Sequence, residues 1–439
     1  MLEKWFRLKA NHTSVKTEVI AGLTTFLSAG YILVVVPTML ATTGMNKLSV
    51  MIATALISGL ASIAMGLFAN YPIALGPGLG TAALFAFTVA PQLKSWQGAL
   101  LAVFIAGLLF LVVTFTGIRK VMIEAIPNEL KLAIGVGIGF FITFIGLKNS
   151  GIIVAHPSNF VTFGHFKDPQ VLLAVIGIII TLVLIAKNVP VAIFWGMVAT
   201  IVIGFIMGCC GIEGMPTLPK TMNTQFDFST WGALKEGIQP LFASIPNAII
   251  IIFSFFFIDF FDTAGTLVTV NQRLDECIDE SEKKDMNRAL AIDSTASILG
   301  SATGVSSMAT LVESTSGIEV GGRTGITAIV SGIFFMLSIF IAPFIELLVT
   351  PAVTAPALVA VGILMSRELK SIDWADFSIA ASCMLTILTM VLSYSISNGI
   401  AVGFLVYTLM RVMKKEAKTL HPMIWVLDAL FLIYFYFTY

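Results

Sequence analysis

The sequence predicts an all-α polytopic membrane protein of fourteen transmembrane spans, arranged as two inverted seven-helix repeats with short extended breaks in spans 3 and 10. Three observations lead there: an apolar composition, an uneven distribution of positive charge, and motifs that recur half a chain apart. Hydrophobic residues make up 57% of the 439 and charged residues 11%, where soluble domains carry roughly 25% charged residues. Mean hydropathy is +0.96. Runs such as Val171 to Ala186 and Gly325 to Pro343 approach or reach the ~17 to 25 apolar residues that cross a bilayer. Lys4, Arg7, Lys9 and Lys16 lie on a polar stretch with neither an apolar core nor a small-residue cleavage site, so no cleavable signal peptide is expected. The net charge of zero points to no nucleic-acid partner. Cys209, Cys210, Cys277 and Cys383 have no metal-ligand spacing and read as buried or free thiols.

Polar breaks and Gly/Pro punctuation divide the first half into spans near 17–42, 48–69, 72–92, 97–118, 127–147, 170–187 and 189–210. The second half gives 243–270, 286–303, 305–320, 324–347, 351–369, 376–395 and 396–413. With the N-terminus inside, 19 of the 25 Lys and Arg residues fall at cytoplasmic ends, and Lys47, Lys94, Lys148, Lys167, Lys220 and Lys235 remain outside. The opposite orientation would invert this split, against the excess of Lys and Arg in cytoplasmic loops. The expected location is therefore the plasma (inner) membrane, multi-pass, with a cytoplasmic N-terminus at 1–16 and an external linker at 211–242. Asn271 to Arg288 (NQRLDECIDESEKKDMNR) reads as a solvated internal loop. At 414–439 a basic segment leads into an apolar helix carrying Asp428, read as interfacial in preference to a fifteenth span.

The external linker falls at the midpoint, and the halves resemble each other. FLSAG (Phe26 to Gly30) lies over FDTAG (Phe261 to Gly265) at an offset of 235, and AGLLFLVVTF (Ala106 to Phe115) over SGIFFMLSIF (Ser331 to Phe340) at 225. Seven is odd, so the second copy enters the membrane from the opposite side, as in secondary transporters whose substrate sites lie between inverted repeats. Span 3 opens NYPIALGPGLGTAALFAF (Asn70 to Phe87), and span 10 reads GSATGVSSMATLVESTSGIEVGG (Gly300 to Gly322). An uninterrupted helix would not choose these compositions. Both read as extended chain leading into a half-helix, with backbone N–H and C=O groups left free at membrane depth, where irregular backbone must line a cavity or be buried in protein. Gly-mediated helix packing is the competing explanation.

Asp259, Asp262, Asp293 and Glu313 fall at membrane depth, with Glu319 and Glu346 nearer span ends. A carboxylate at the bilayer centre costs at least ~2.5 to 3.5 kcal/mol on insertion scales, so each must be paired, protonated or turned to a polar cavity. Asp259 and Asp262 are three residues apart, on one side of a helix. Asp262 and Glu313 sit in broken-helix, Gly/Thr-rich surroundings and read as functional, while Asp259 and Asp293 fit a functional or a structural acceptor role equally. His12, His156, His165 and His421 lie at span edges or in loops, which argues against a histidine relay.

EVIAGLTTFLSAGYIL, GLFANYPIALGPGLG, FDTAGTLVTV and ESTSGIEVGGRTGITAIVSG together resemble the AzgA-like adenine/guanine/hypoxanthine permeases of the nucleobase–cation symporter 2 (nucleobase/ascorbate transporter) family, over nearly the whole chain. The resemblance implies a core domain (17–118 and 243–347, spans 1–4 and 8–11) and a gate domain (127–210 and 351–413, spans 5–7 and 12–14). It also implies an elevator-like displacement coupled to protons and pairing as a homodimer. The family's acids of spans 8 and 10 fall on Asp262 and Glu313. The expected partners are then a purine nucleobase, protons and membrane lipid; no cofactor is expected beyond the proton gradient as driving force, and no enzymatic activity. Candidate substrate-binding residues are Asp262, Glu313, Thr266, Gly80, Thr81, Ala82, Tyr31, Phe261 and Ser314, and candidate proton-coupling residues Asp262, Glu313 and Asp259. An ionised carboxylate can accept from two ring N–H groups while backbone amides donate to ring nitrogens or a carbonyl oxygen, and Phe261 and Tyr31 are placed to stack.

Two positions depart from the family pattern. Ala82 stands where members usually carry asparagine after GLG, and Val36 precedes Pro37 where Asn-Pro is usual. This leaves uracil, xanthine or another nucleobase-like substrate as alternatives. An anion carrier of the same architecture would want cationic help and no acids on spans 8 and 10. An intramembrane aspartyl enzyme needs its acids on separate facing helices, whereas Asp259 and Asp262 share one.

Overall fold

The computed structural model describes residues 2–116, 127–215, 226–279 and 284–438. Arg119, Lys120, Lys220 and Lys283, four of the basic residues counted above, lie outside the described residues, as does the side chain of Phe261. Helices dominate. A short α1 (Leu2–Phe6) precedes α2 (Val15–Ala29), which Ser14 caps by accepting from the Thr17 N–H. Span 1 is not one helix: α2 stops at Ala29 and α3 runs Ile32–Ala41. Between them the chain tightens into i→i−3 bonds, Leu33 N–H to Gly30 O and Val34 N–H to Tyr31 O, which turns Tyr31 toward span 10. Then come α4 (Lys47–Ala64), capped by Asn46, and a wide turn Met65–Ala69.

Span 3 begins with the strand β1 (Leu75–Pro77) and continues as α5 (Leu79–Leu84), a wide turn at Phe85–Val89 and α6 (Ala90–Leu93). The remaining first-half helices are α7 (Trp96–Thr116), α8 (Asn128–Asn149), α9 (Pro169–Ala186) and α10 (Ala192–Cys209), with a hairpin of β2 (Ile153–His156) and β3 (Phe160–Phe163) after α8. The second half has α11 (Ile238–Phe242), the long α12 (Ile245–Asp275) and α13 (Met286–Thr303). Span 10 is the strand β4 (Met308–Thr310) followed by α14 (Ser314–Glu319). It is followed by α15 (Gly325–Leu337), α16 (Ala342–Leu348), α17 (Pro351–Met365), α18 (Phe377–Leu392), α19 (Ile396–Met413) and α20 (Pro422–Thr438).

Among the described residues, 9 helices are long and apolar enough to cross a membrane, and Leu79–Leu93, Ile245–Phe260, Phe377–Leu392 and Pro422–Ile433 are shorter apolar helices. Met286–Thr303 and the β4–α14 segment, expected as spans 9 and 10, fall outside both groups because they are polar and broken. Polar side chains of α13 turn into the protein: Asp293, Ser294, Ser297 and Ser301 are buried. A segment wrapped by other helices need not be apolar, since lipid never touches it.

The helices associate in two groups. In one, α15 packs on α2 and α4, α7 on α12 and α13, and α14 on α2; in the other, α8 packs on α17 and α18, α9 on α10 and α17, and α18 on α19. Small residues set the closest crossing: a Cβ on Gly66 would collide with the Gly325 carbonyl oxygen, and one on Gly332 with that of Gly59. Without a hydrophobic drive between helices in lipid, such backbone approach supplies the packing energy.

The linker returns to the bundle through Asp227, which accepts from the Ser229 hydroxyl at 2.5 Å, the Ser229 N–H at 2.8 Å and Asn46 Nδ2 at 3.2 Å. The Ser229 hydroxyl, then its N–H, hold this carboxyl below the usual carboxylate range. A depressed folded value contributes stability above the unfolded pKa of about 3.9 that is lost as pH falls through the folded one. Asp227→Asn is therefore expected to lower the thermal midpoint of the purified protein near neutral pH and to match the wild type under strongly acidic conditions; a difference independent of pH would refute this.

Candidate functional site

The two extended breaks meet. β1 and β4 pair antiparallel, with Leu75 opposite Thr310, Gly76 opposite Ala309 and Pro77 opposite Met308. Two flanking bonds extend the contact, Gly78 N–H to Ser307 O at 3.1 Å and Leu311 N–H to Ala74 O at 3.0 Å. Two strands alone leave outer edges unpaired, which is costly in a dry interior. Serines from the neighbouring helices fill them. Ser62 of α4 accepts from Leu75 N–H at 2.9 Å, and Ser297 of α13 accepts from Met308 N–H at 3.0 Å while donating to Met308 O at 2.8 Å.

Each strand feeds a half-helix, and each half-helix start faces a carboxylate. α5 begins after Gly78, which provides no side-chain cap, so the N–H groups of its first turn have no partner within the helix. Asp262 of α12 comes down onto this point: a Cβ on Gly78 would lie 2.7 Å from Asp262 Oδ2 and 2.9 Å from Thr81 Oγ1. A helix N-terminus favours a negative charge there. Glu313, just before α14, accepts a hydrogen bond from the Tyr31 hydroxyl at 2.5 Å, and α14 packs against α12. Asp262, Glu313 and Tyr31 therefore form one cluster at the junction of spans 1, 3, 8 and 10, with both carboxylates only partly buried.

The other expected residues are distributed around this cluster. Thr81 donates to Gly78 O at 3.0 Å, and Ala82 is fully buried with its N–H bonded to Gly78 O. Gly80 faces outward to α8, where a Cβ would sit 3.3 Å from Ile138. It lies on the seam between the two helix groups. Ser314 Oγ accepts from Ala74 N–H at 3.0 Å, pinning α14 to the β1 break. Thr266 follows Asp262 by one turn of α12 and is half-buried. Tyr31, expected to stack, is held instead by its hydroxyl on Glu313.

The expectation of unused amides differs between the breaks. At the span 10 break Ser314, Thr315 and Ser316 N–H bond to the carbonyls of Leu311, Val312 and Glu313, so only the α5 start has first-turn amides without helical partners. The two aspartates of α12 also part company. Asp259 is 2% exposed and lies behind β4 with Oδ2 3.5 Å from Ser297 Oγ, whereas Asp262 turns to Gly78. Asp293 accepts from Thr263 at 2.8 Å.

One buried acid was not anticipated. Glu18 of α2 accepts from the N–H groups of Arg323, Thr324 and Thr327 at 2.9, 3.2 and 3.1 Å and from the Thr327 hydroxyl at 2.6 Å. It caps α15 from another helix, a charge-assisted arrangement that fixes span 1 against span 11. A glutamate just inside an apolar run, with GGRTG (Gly321 to Gly325) elsewhere needing a cap, was the available signal.

The description "Permease family" matches residues 16–416. The chain belongs to this permease family. Its relatives include the guanine/hypoxanthine permease PbuG of Bacillus subtilis (strain 168), 42% identical with 99% of this chain and 100% of the relative covered. The adenine permease AdeP of Escherichia coli (strain K12) is 36% identical, with 99% and 95% covered. Among solved structures, the transmembrane domain of the cyanobacterial bicarbonate transporter BicA superimposes with a TM-score of 0.62 at 16% identity, covering 88% of this chain and 97% of that one. That likeness concerns the fold. The permease is thus a multi-pass membrane protein and not an enzyme.

Gly78 gives the permease a direct test. Its φ of −65° suits any residue, so Gly78→Ala strains no backbone and acts only by displacing Asp262 and Thr81. The expected result is normal folding, read as an unchanged thermal midpoint, with substrate affinity lowered about tenfold, the value of roughly one weakened charged hydrogen bond. Unchanged affinity would remove Asp262 from the site.

Proposed function

We propose that the permease is a secondary active transporter that imports purine nucleobases, adenine, guanine and/or hypoxanthine, by proton symport. The observation that carries this reading is the Asp262–Glu313–Tyr31 cluster set against the first turn of α5. A purine is flat and nearly uncharged, and offers N–H donors beside ring acceptors. Two carboxylates can take the donors, and amides of the α5 start can serve the acceptors. The names of PbuG and AdeP support the substrate class. A carboxylate at membrane depth is costly unless it is paired or takes a proton; a proton taken up with the purine on the outer side and released with it on the inner side would link import to the proton gradient.

The same reading takes the chain as fourteen spans in two inverted repeats. The FLSAG/FDTAG offset of 235 also relates Ser62 to Ser297 and Gly78 to Glu313, pairs that serve matching places on β1 and β4. The group containing α2 to α7 and α12 to α16 is the moving core, and the group of α8 to α10 with α17 to α19 the gate. Gly80 against Ile138 lies on their sliding surface. The N-terminus is cytoplasmic, the protein resides in the plasma (inner) membrane, and two copies pair.

Uptake of labelled adenine, guanine, hypoxanthine and uracil into proteoliposomes, with and without a protonophore, tests this. Purine uptake abolished by the protonophore is expected. Uptake of none of the bases, or uptake indifferent to the protonophore, would overturn the substrate class or the coupling.

A further inference from the structure

Tyr394, between α18 and α19, is held in two unfavourable ways at once. It is the first residue beyond the cap of α18 and has a φ of 54°. Its N–H bonds to Val391 O, and the next N–H, that of Ser395, to Met390 O. Helices commonly end with this pair of bonds on glycine, because a side chain is strained there. The tyrosine hydroxyl is also buried, with no hydrogen-bond partner among the described residues, and a buried polar group without a partner is costly. Neither local backbone preference nor hydrogen bonding accounts for a tyrosine at this position, so its ring must.

That ring is the centre of an aromatic cluster. Phe141 and Phe144 of α8 stand 5.2 and 6.1 Å from it and Phe87 5.8 Å, all edge to face, and the Lys148 ammonium lies 4.2 Å from its centroid. These are the attractive arrangements for ring pairs and for a cation over a ring. The members come from different helix groups. Phe141, Phe144, Lys148 and Tyr394 belong to α8 and the α18–α19 junction, whereas Phe87 lies in the wide turn of span 3 (Phe85–Val89), which packs on α7. Phe87 to Tyr394 is therefore a contact across the seam between the groups, and Phe141 to Tyr394 a contact within one of them.

The cluster has a defined place along that seam. Ile138, Phe141, Phe144 and Lys148 follow one another on α8 at spacings of three or four, which puts them on one face of the helix. Ile138 is the residue set against Gly80 of α5, two residues from the Gly78 on which Asp262 lies. Phe87 comes seven residues after Gly80, about 10 Å at 1.5 Å per residue. Lys148 is exposed at the end of α8. From the site to the water the order is thus Gly80 on Ile138, then the rings of Phe87 and Tyr394, then the ammonium of Lys148.

We infer that Phe87 and Tyr394 form an outer latch: the ring pair closes the seam above the carboxylate site in this structure and parts when the site opens to the outer side. The closure stands on the geometry of the cluster; the outer side and the parting rest on the transport reading above. The strained φ and the unpaired hydroxyl both belong to the closed form, which keeps the latch releasable, as strained residues at switch regions do. A ring pair of this kind shifts a two-state population roughly 2- to 12-fold.

The test uses the full chain with Cys209, Cys210 and Cys277 replaced by serine and the buried Cys383 by alanine. Ile138→Cys then reports from beneath the latch to a membrane-impermeant methanethiosulfonate applied to intact cells. Tyr394→Gly removes the ring and suits the left-handed backbone, so it should fold and label faster, by roughly 2- to 12-fold. Phe87→Ala should do the same, and both changes together no more than either alone, while Tyr394→Phe should label no faster than the parent. An unchanged rate in Tyr394→Gly, additive increases, or faster labelling in Tyr394→Phe overturns the latch. Without the reporter, Phe87→Cys paired with Tyr394→Cys and bridged by a short bifunctional thiosulfonate should lose purine uptake relative to the unbridged pair and regain it with reductant. Phe141→Cys paired with Tyr394→Cys, bridged likewise, should keep it. Uptake that survives the first bridge, or is lost with the second, overturns the parting. Failure of the transport reading is distinguishable, since uptake is then absent from the unbridged protein while labelling of Ile138→Cys still reads the latch.

Discussion

Asp262→Asn is expected to reduce purine uptake by about 10- to 100-fold while leaving the amount and thermal midpoint of the purified protein unchanged. The substitution keeps the volume that sits on Gly78 and removes only the charge. A hydrogen bond to a charged group is worth about 1.5 to 3 kcal/mol, and each 1.4 kcal/mol is about a factor of ten in affinity. Removing a carboxylate from a site of low polarity also lifts a desolvation cost, so stability should hold or rise. Binding of labelled purine and initial uptake rates, measured on the same preparation, separate the two effects. Wild-type affinity in this variant would show that Asp262 does not touch the substrate.

The second large effect belongs to Glu313 and Tyr31 as a pair. Their 2.5 Å hydrogen bond implies that each depends on the other. Glu313→Gln should cost about as much as Asp262→Asn. Tyr31→Phe alone should weaken binding by about 1 kcal/mol or more, because it frees the carboxylate from its orienting donor. In the Glu313→Gln background the same tyrosine change should cost much less, giving a coupling energy of about 1 kcal/mol. Strictly additive losses would mean that Tyr31 meets the substrate independently, as the stacking expectation has it, and would reassign its role from orienting Glu313 to contacting the base.

Why the site was legible in part is clear from particular residues. Asp262 and Glu313 announced themselves because a carboxylate is improbable in an apolar segment unless it has work or a partner. Pro72, Gly76, Pro77 and Gly78 announced a broken helix because their compositions oppose helix propagation. Gly78, by contrast, reads as one glycine among several, and only the approach of α12 shows that it must lack a side chain for Asp262 to lie on it. Glu18 is silent in sequence because its partners lie more than 300 residues away. Asp259 and Asp262 look alike in sequence, yet one lies behind β4 and the other at the α5 start.

The sequence by itself determined that this chain lives in a membrane, that its third and tenth spans break, and that acids stand next to the breaks. Those properties depend on composition and on local backbone preference, which any segment carries with it. Tertiary structure alone decided that β1 pairs with β4, that Tyr31 bonds to Glu313, that Ser314 secures Ala74 while Asp262 faces the uncapped helix start, and that α20 turns Asp428 inward. These are contacts between segments distant in the chain. Their partners are chosen by which backbones can approach and which polar groups would otherwise remain unpaired in a medium without water.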